Sequence, residues 1–80
     1  MNNLRDTAQL KKFGNWLKVL RTQRKLTLEQ LAFAADIELS QVHRIEQGKI
    51  NPTYTTLLAL ATGLDIPVHD LVHIVESTTE

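Results

Sequence analysis

Apolar side chains recur at Leu10, Phe13, Leu17 and Leu20, at intervals of three and four, with lysines and arginines on the other sides. That interval is the period of a helix with one inward stripe. It predicts a first helix from about Thr7 to Arg24. Thr27-Leu28-Glu29-Gln30 then fits a capping box: the threonine hydroxyl accepts from a first-turn N–H, and Gln30 reaches back to the cap's own N–H. A second helix runs from Leu28 to about Ala35, with Leu31, Ala32 and Ala35 as a small-residue inner face. Asp36-Ile37-Glu38 is a short turn. Asp36 adopts the left-handed conformation that ends a helix more easily than most residues other than glycine. A third helix covers Leu39 to Gln47 and stops at Gly48.

Lys49 to Pro52 reads as loop. A fourth helix follows, capped by Thr53 or Thr55, carrying Leu57, Leu58, Leu60 and Ala61 and ending at Gly63. Ile66-Pro67 opens a fifth, with Pro67 in its first turn and Val68, Leu71, Val72 and Val75 along it. The expectation is an all-α, five-helix domain over residues 1–80. Its core spans about 8–75, with an N-terminal arm over 1–7 and a frayed tail over 76–80.

The third helix divides into two faces on a wheel of 100° per residue. Val42, Ile45 and Glu46 cluster on one side. Ser40, His43, Arg44 and Gln47 cluster opposite, with Leu39 at the edge. Two helices joined by a tight turn, the second with an outward polar face, have the form of a helix-turn-helix. The major groove of DNA admits one helix. Arginine offers guanine two donors, serine bonds either kind of base edge, and Leu39 suits a thymine methyl. Gln47, Lys49 and the helix ends suit phosphates.

Net charge qualifies that reading. It is zero overall, which argues against a nucleic-acid partner until its distribution is examined. Residues 1–25 carry a net +6, residues 26–50 a net −2 and residues 51–80 a net −4. Such asymmetry can give one basic and one acidic face. Lys11, Lys12 and Lys18 are read as solvated surface.

The stretch from Arg21 to Ile66 resembles the Cro/C1-type helix-turn-helix family, also called the XRE family. The resemblance covers roughly residues 10–72. It rests on Arg21, Leu31-Ala32, Val42, Ile45, Glu46, Gly48, Pro52 and the run Leu57 to Ala61. It implies a five-helix, lambda-repressor-like DNA-binding domain, usually a homodimer on a two-fold site in double-stranded DNA. It puts Leu39, Ser40 and Arg44 at base-reading positions. Thr27, Gln41, His43, Gln47, Lys49 and Thr53 become backbone or secondary contacts. Arg21 and Glu46 become a pair that orients the third helix. Three positions depart from the family pattern. Leu28 stands where a glutamine often touches phosphate, Asp36 where the turn often has glycine, and Glu38 where serine or threonine often caps the third helix.

Other classes are weaker. The chain has no cysteine, hence no disulfide framework or thiolate site. It has no Gly-rich phosphate loop and no HExxH motif, so an enzyme is not expected. His69 and His73 are spaced to share a metal, yet no third ligand is evident, so neither metal nor cofactor is expected. Trp16 reads as core or subunit contact. Val68, Leu71, Val72, Ile74 and Val75 exceed what one small core can take. Val68, Leu71, Val72 and Val75 are therefore expected in a homodimer interface. No apolar run approaches a membrane span, and a cytoplasmic regulator is expected. A protein partner such as a toxin or RNA polymerase remains open. So do the roles of antitoxin, restriction–modification controller, and interaction module that has lost DNA binding.

Overall fold

The computed structural model describes residues 3–75 and contains five helices. They are α1 (Asn3–Gln23), α2 (Leu28–Ala35), α3 (Leu39–Glu46), α4 (Tyr54–Leu64) and α5 (Val68–Val72). Among the described residues there is no strand. α1 begins at Asn3 rather than Thr7 and has 21 residues. Positions 3–7, expected as an arm, are thus helical: nothing between Asn3 and Thr7 breaks a helix, and Asp6 in the first turn complements its dipole. Met1, Asn2 and the expected tail at 76–80 lie outside the described residues.

The core draws on every helix. Leu17 and Leu20 come from α1, Leu31, Ala32 and Ala35 from α2, Val42 and Ile45 from α3, Leu60, Ala61 and Leu64 from α4, and Leu71 from α5. Burying a side chain of leucine size contributes about 1.5–3 kcal/mol, so a few such residues per helix fix the arrangement. α2 packs most closely against α4 and also against α3; α1 lies across α3, and α5 closes on α4. Leu10 and Phe13, the outer half of the α1 stripe, are only half-buried.

Four helices end in a left-handed residue, Gly48 after α3 and a residue other than glycine after α1, α2 and α4. Lys25, Asp36 and Asp65 take φ values of 59°, 59° and 60°. In each case the next residue's N–H returns to a carbonyl five positions back: Leu26 to Arg21 at 3.1 Å, Ile37 to Ala32 at 3.0 Å, Ile66 to Ala61 at 3.0 Å. This left-handed closure satisfies the last carbonyls of a helix. The residue that follows (Leu26, Ile37 or Ile66) packs against the core.

The C-terminal end of α4 therefore differs from expectation. Gly63 lies inside α4, where it meets Ala35 of α2, and Asp65 is the residue that turns the chain. Thr53 rather than Thr55 caps α4, its side chain accepting from the Thr56 N–H at 3.2 Å. Gln47 is the C-cap of α3, with Gly48 at φ 75° behind it. Pro67 is the N-cap of α5, outside its first turn. α5 ends at Val72, so Val75 is not on it.

Candidate nucleic-acid interface

α3 sits on the domain by its inner residues. Val42 and Ile45 are buried at 0% and 1% exposure. Ser40, His43, Arg44 and Gln47 are all exposed, as is Leu39. These residues thus face inward and outward as a period of 100° per residue predicts. Gln41 is half-buried beside the turn and borders an open depression with Phe33, Asp36 and Glu38.

The start of α2 has the expected capping box. The Gln30 N–H donates to Thr27 Oγ1 at 3.0 Å, and the Thr27 N–H donates to Gln30 Oε1 at 2.9 Å. Thr27 and Thr53 thus each use their hydroxyl as a cap acceptor, and both residues are exposed. Glu38 occupies the N-cap of α3 without a side-chain hydrogen bond, as its longer side chain leads one to expect.

Arg21 and Glu46 fix α3 to α1. Arg21 Nε donates to Glu46 Oε2 at 2.7 Å and Nη2 donates to Oε1 at 3.0 Å. Nη1 donates to the Leu26 carbonyl at 2.8 Å. The guanidinium fork is thus matched to a carboxylate on α3 and a carbonyl in the turn before α2. The hydrogen bonds to Glu46 raise the Arg21 pKa above its ordinary value, against the opposing effect of burial. The arginine therefore stays charged while 9% exposed.

A close contact that no sequence period reveals supports the same junction. At Gly14 of α1, an added Cβ would lie 2.6 Å from the Ile45 carbonyl oxygen and overlap that of Glu46. The obstacle is backbone and cannot rotate aside. Lys11, one turn earlier, is exposed, as expected of a solvated lysine, and also lies beside Gly48 at the end of α3.

The apolar residues of the C-terminal region divide. Val72 and Val75 are 49% and 60% exposed, but Leu71 is 0% exposed. Leu71 belongs to the core and is withdrawn from the expected interface: it points inward from α5 onto the residues of the other helices. Val68 is half-buried against the core. Trp16 is half-buried too, and its Nε1 reaches the Asp70 carbonyl at 3.4 Å, linking α1 to α5. The His69 and His73 rings stack with centroids 5.9 Å apart. Among the described residues, no group of three or more side chains is placed to hold a metal. No described helix is long and apolar enough to cross a membrane.

These features define a helix-turn-helix protein. A model of the helix-turn-helix domain family matches residues 12–74, and the chain belongs to that family, in its Cro/C1-type branch. It is 42% identical over 60 residues to the HTH-type transcriptional regulator DdrOP3 of Deinococcus deserti, covering 75% of this chain and 46% of that protein. It is 38% identical over 65 residues to the HTH-type transcriptional repressor RghR of Bacillus subtilis, covering 80% of this chain and 48% of that protein. The chain spans about half the length of these two relatives. Among solved structures, the restriction-modification controller protein C.AhdI of Aeromonas hydrophila superposes with a TM-score of 0.78 at 42% identity. That match covers 80% of this chain and 97% of C.AhdI.

Proposed function

We propose that the chain is a sequence-specific DNA-binding regulator of transcription that works as a homodimer on a two-fold site. The observation that carries this is the construction of α3. Val42, Ile45 and the Arg21–Glu46 pair hold the helix from within, leaving Ser40, His43, Arg44 and Gln47 outward. In this reading α3 lies in the major groove. Leu39, Ser40 and Arg44 meet base edges, and Thr27, Gln41, His43, Gln47, Lys49 and Thr53 lie toward the backbone. Leu28 makes no polar contact with phosphate, and Glu38 stands near the phosphates as an unfavourable charge. Exposed Val72 and Val75, with the outer side of Val68, form the contact between two copies. A two-fold dimer then sets its two reading helices about 34 Å apart, one turn of DNA.

A controller of a restriction–modification system is the more specific form of this reading. The similarity to C.AhdI over nearly its whole length favours it. In this reading the chain acts on DNA beside its own gene. The test is binding to a labelled duplex from just upstream of that gene, against random DNA, at two salt concentrations. Tight, salt-sensitive binding with preference for the upstream duplex is expected. Absence of binding to both would shift weight to a module that keeps the fold for a protein partner, a toxin or RNA polymerase among them.

A further inference from the structure

α1 crosses α3 at Gly14 and continues past the turn that follows α3. Between α1 and that turn lies an open cleft of about 590 Å³ bordered by Thr7, Lys11, Asn15, Gln47 and Lys49. Glu46 also borders it, but both its carboxylate oxygens are held by Arg21, and its side chain is 6% exposed. Neither Lys11 nor Lys49 forms an ion pair with a described residue. The cleft thus brings together two uncompensated ammonium groups and two side-chain amides able to donate hydrogen bonds.

Its position matters as much as its charge. Gln47 stands one turn beyond His43 and Arg44 on the outward side of α3. The cleft is therefore the C-terminal margin of the reading face, where a helix lying in a groove meets the phosphates of the groove wall. We infer that this cleft binds a DNA backbone phosphate, with Lys11 and Lys49 supplying charge and Asn15 and Gln47 supplying hydrogen bonds. The inference rests on the DNA-binding reading above and adds α1 to the contact surface. A lysine acts on phosphate as a point charge, and two lysines from different elements fix the phosphate between them. The competing role for Lys11 is to offset the negative end of the α3 dipole. That role predicts a change in stability and none in the salt dependence of binding.

The test compares the wild type, Lys11→Gln, Lys12→Gln and Asn15→Asp by fluorescence anisotropy with upstream and random duplexes across a salt series. Lys11→Gln is expected to lower affinity several-fold on both duplexes and to reduce the slope of log K against log salt by about 0.9, one phosphate contact. Lys12→Gln removes the same charge from the neighbouring position outside the cleft and should leave the slope unchanged. Asn15→Asp sets a like charge against the phosphate and should weaken binding to both duplexes by about tenfold or more; it keeps the test usable if Lys11→Gln folds poorly. Wild-type slopes in Lys11→Gln and wild-type affinity in Asn15→Asp overturn the phosphate site while leaving the DNA-binding reading intact. A wild type with no salt-sensitive DNA binding removes both.

Discussion

Arg21 and Glu46, 25 residues apart in the chain, meet in a two-bond ion pair in which the guanidinium also holds the carbonyl of Leu26. Both side chains are nearly enclosed, at 10% and 6% exposure. Removing one partner leaves the other charge buried, at a cost of about 3–5 kcal/mol. Arg21→Met and Glu46→Met should each lower the thermal midpoint sharply in circular dichroism, by about 4–8 °C per kcal/mol in a domain of this size. The double variant should recover much of the loss, because no charge is then stranded. Additive losses would show that the pair is not coupled. The raised pKa of Arg21 adds stability that is complete below the ordinary arginine range and is lost only above it. The pair's arginine therefore contributes no stability transition near neutral pH.

Gly14→Ala sets two effects against each other. Alanine favours a helix interior over glycine by about 1 kcal/mol. Here the added methyl meets the carbonyls of Ile45 and Glu46, which move only if the helices separate. Overpacking of this kind costs about 1–3 kcal/mol, so the melting temperature should fall. DNA affinity should fall with it, because α3 is the helix displaced. A rise in melting temperature would show that the crossing opens freely.

Lys25→Gly should stabilise. Lys25 has φ 59°, a conformation costing an L-residue about 1–2 kcal/mol that glycine adopts without that penalty. The greater freedom of glycine in the unfolded chain takes back part of the gain. A net increase of about 0.5–1 kcal/mol in urea unfolding is expected.

Arg44→Ala should cost about 1–3 kcal/mol on the specific duplex and relax sequence preference at one position, whereas Lys49→Ala should weaken all duplexes about equally. Competition binding with single-base variants checks this. Equal losses on specific and random DNA for Arg44→Ala would reassign it to a phosphate.

Val72→Asp and Leu71→Ala separate assembly from folding. Val72 is exposed and Leu71 is not. Val72→Asp should shift sedimentation at micromolar concentration toward monomer with the fold retained. Leu71→Ala should instead lower stability by about 2–5 kcal/mol through the cavity it leaves. If Val72→Asp sedimented as the wild type does, another surface would join the copies.

The features readable in the sequence are those written locally. The capping box at Thr27 and Gln30, the left-handed turn at Asp36 and the inward side of α3 at Val42 and Ile45 each depend on residues within about one or two turns. The Arg21–Glu46 pair is long-range, and it was legible only through the family resemblance. What the sequence hides depends on where separate helices cross. Gly63 resembles a helix stop, yet Asp65 performs that task because Gly63 meets α2. Leu71 and Val72 are adjacent apolar residues, and only the placement of α5 decides that the first is buried and the second exposed. Lys11 looks like any solvated lysine until α1 is laid across the end of α3. Phe33, 89% exposed on α2, has no periodic signal that distinguishes it.

The two-sidedness of α3 also bears on how such a protein can change. Its seating depends on Val42, Ile45, Glu46 and the Gly14 crossing, none of which is outward. Substitutions at exposed surface positions usually shift stability by no more than about 0.5 kcal/mol. Ser40, His43, Arg44 and Gln47 can therefore be exchanged with little structural penalty, and under the proposed DNA-reading role a lineage of such proteins can acquire new operators one outward residue at a time while every intermediate still folds.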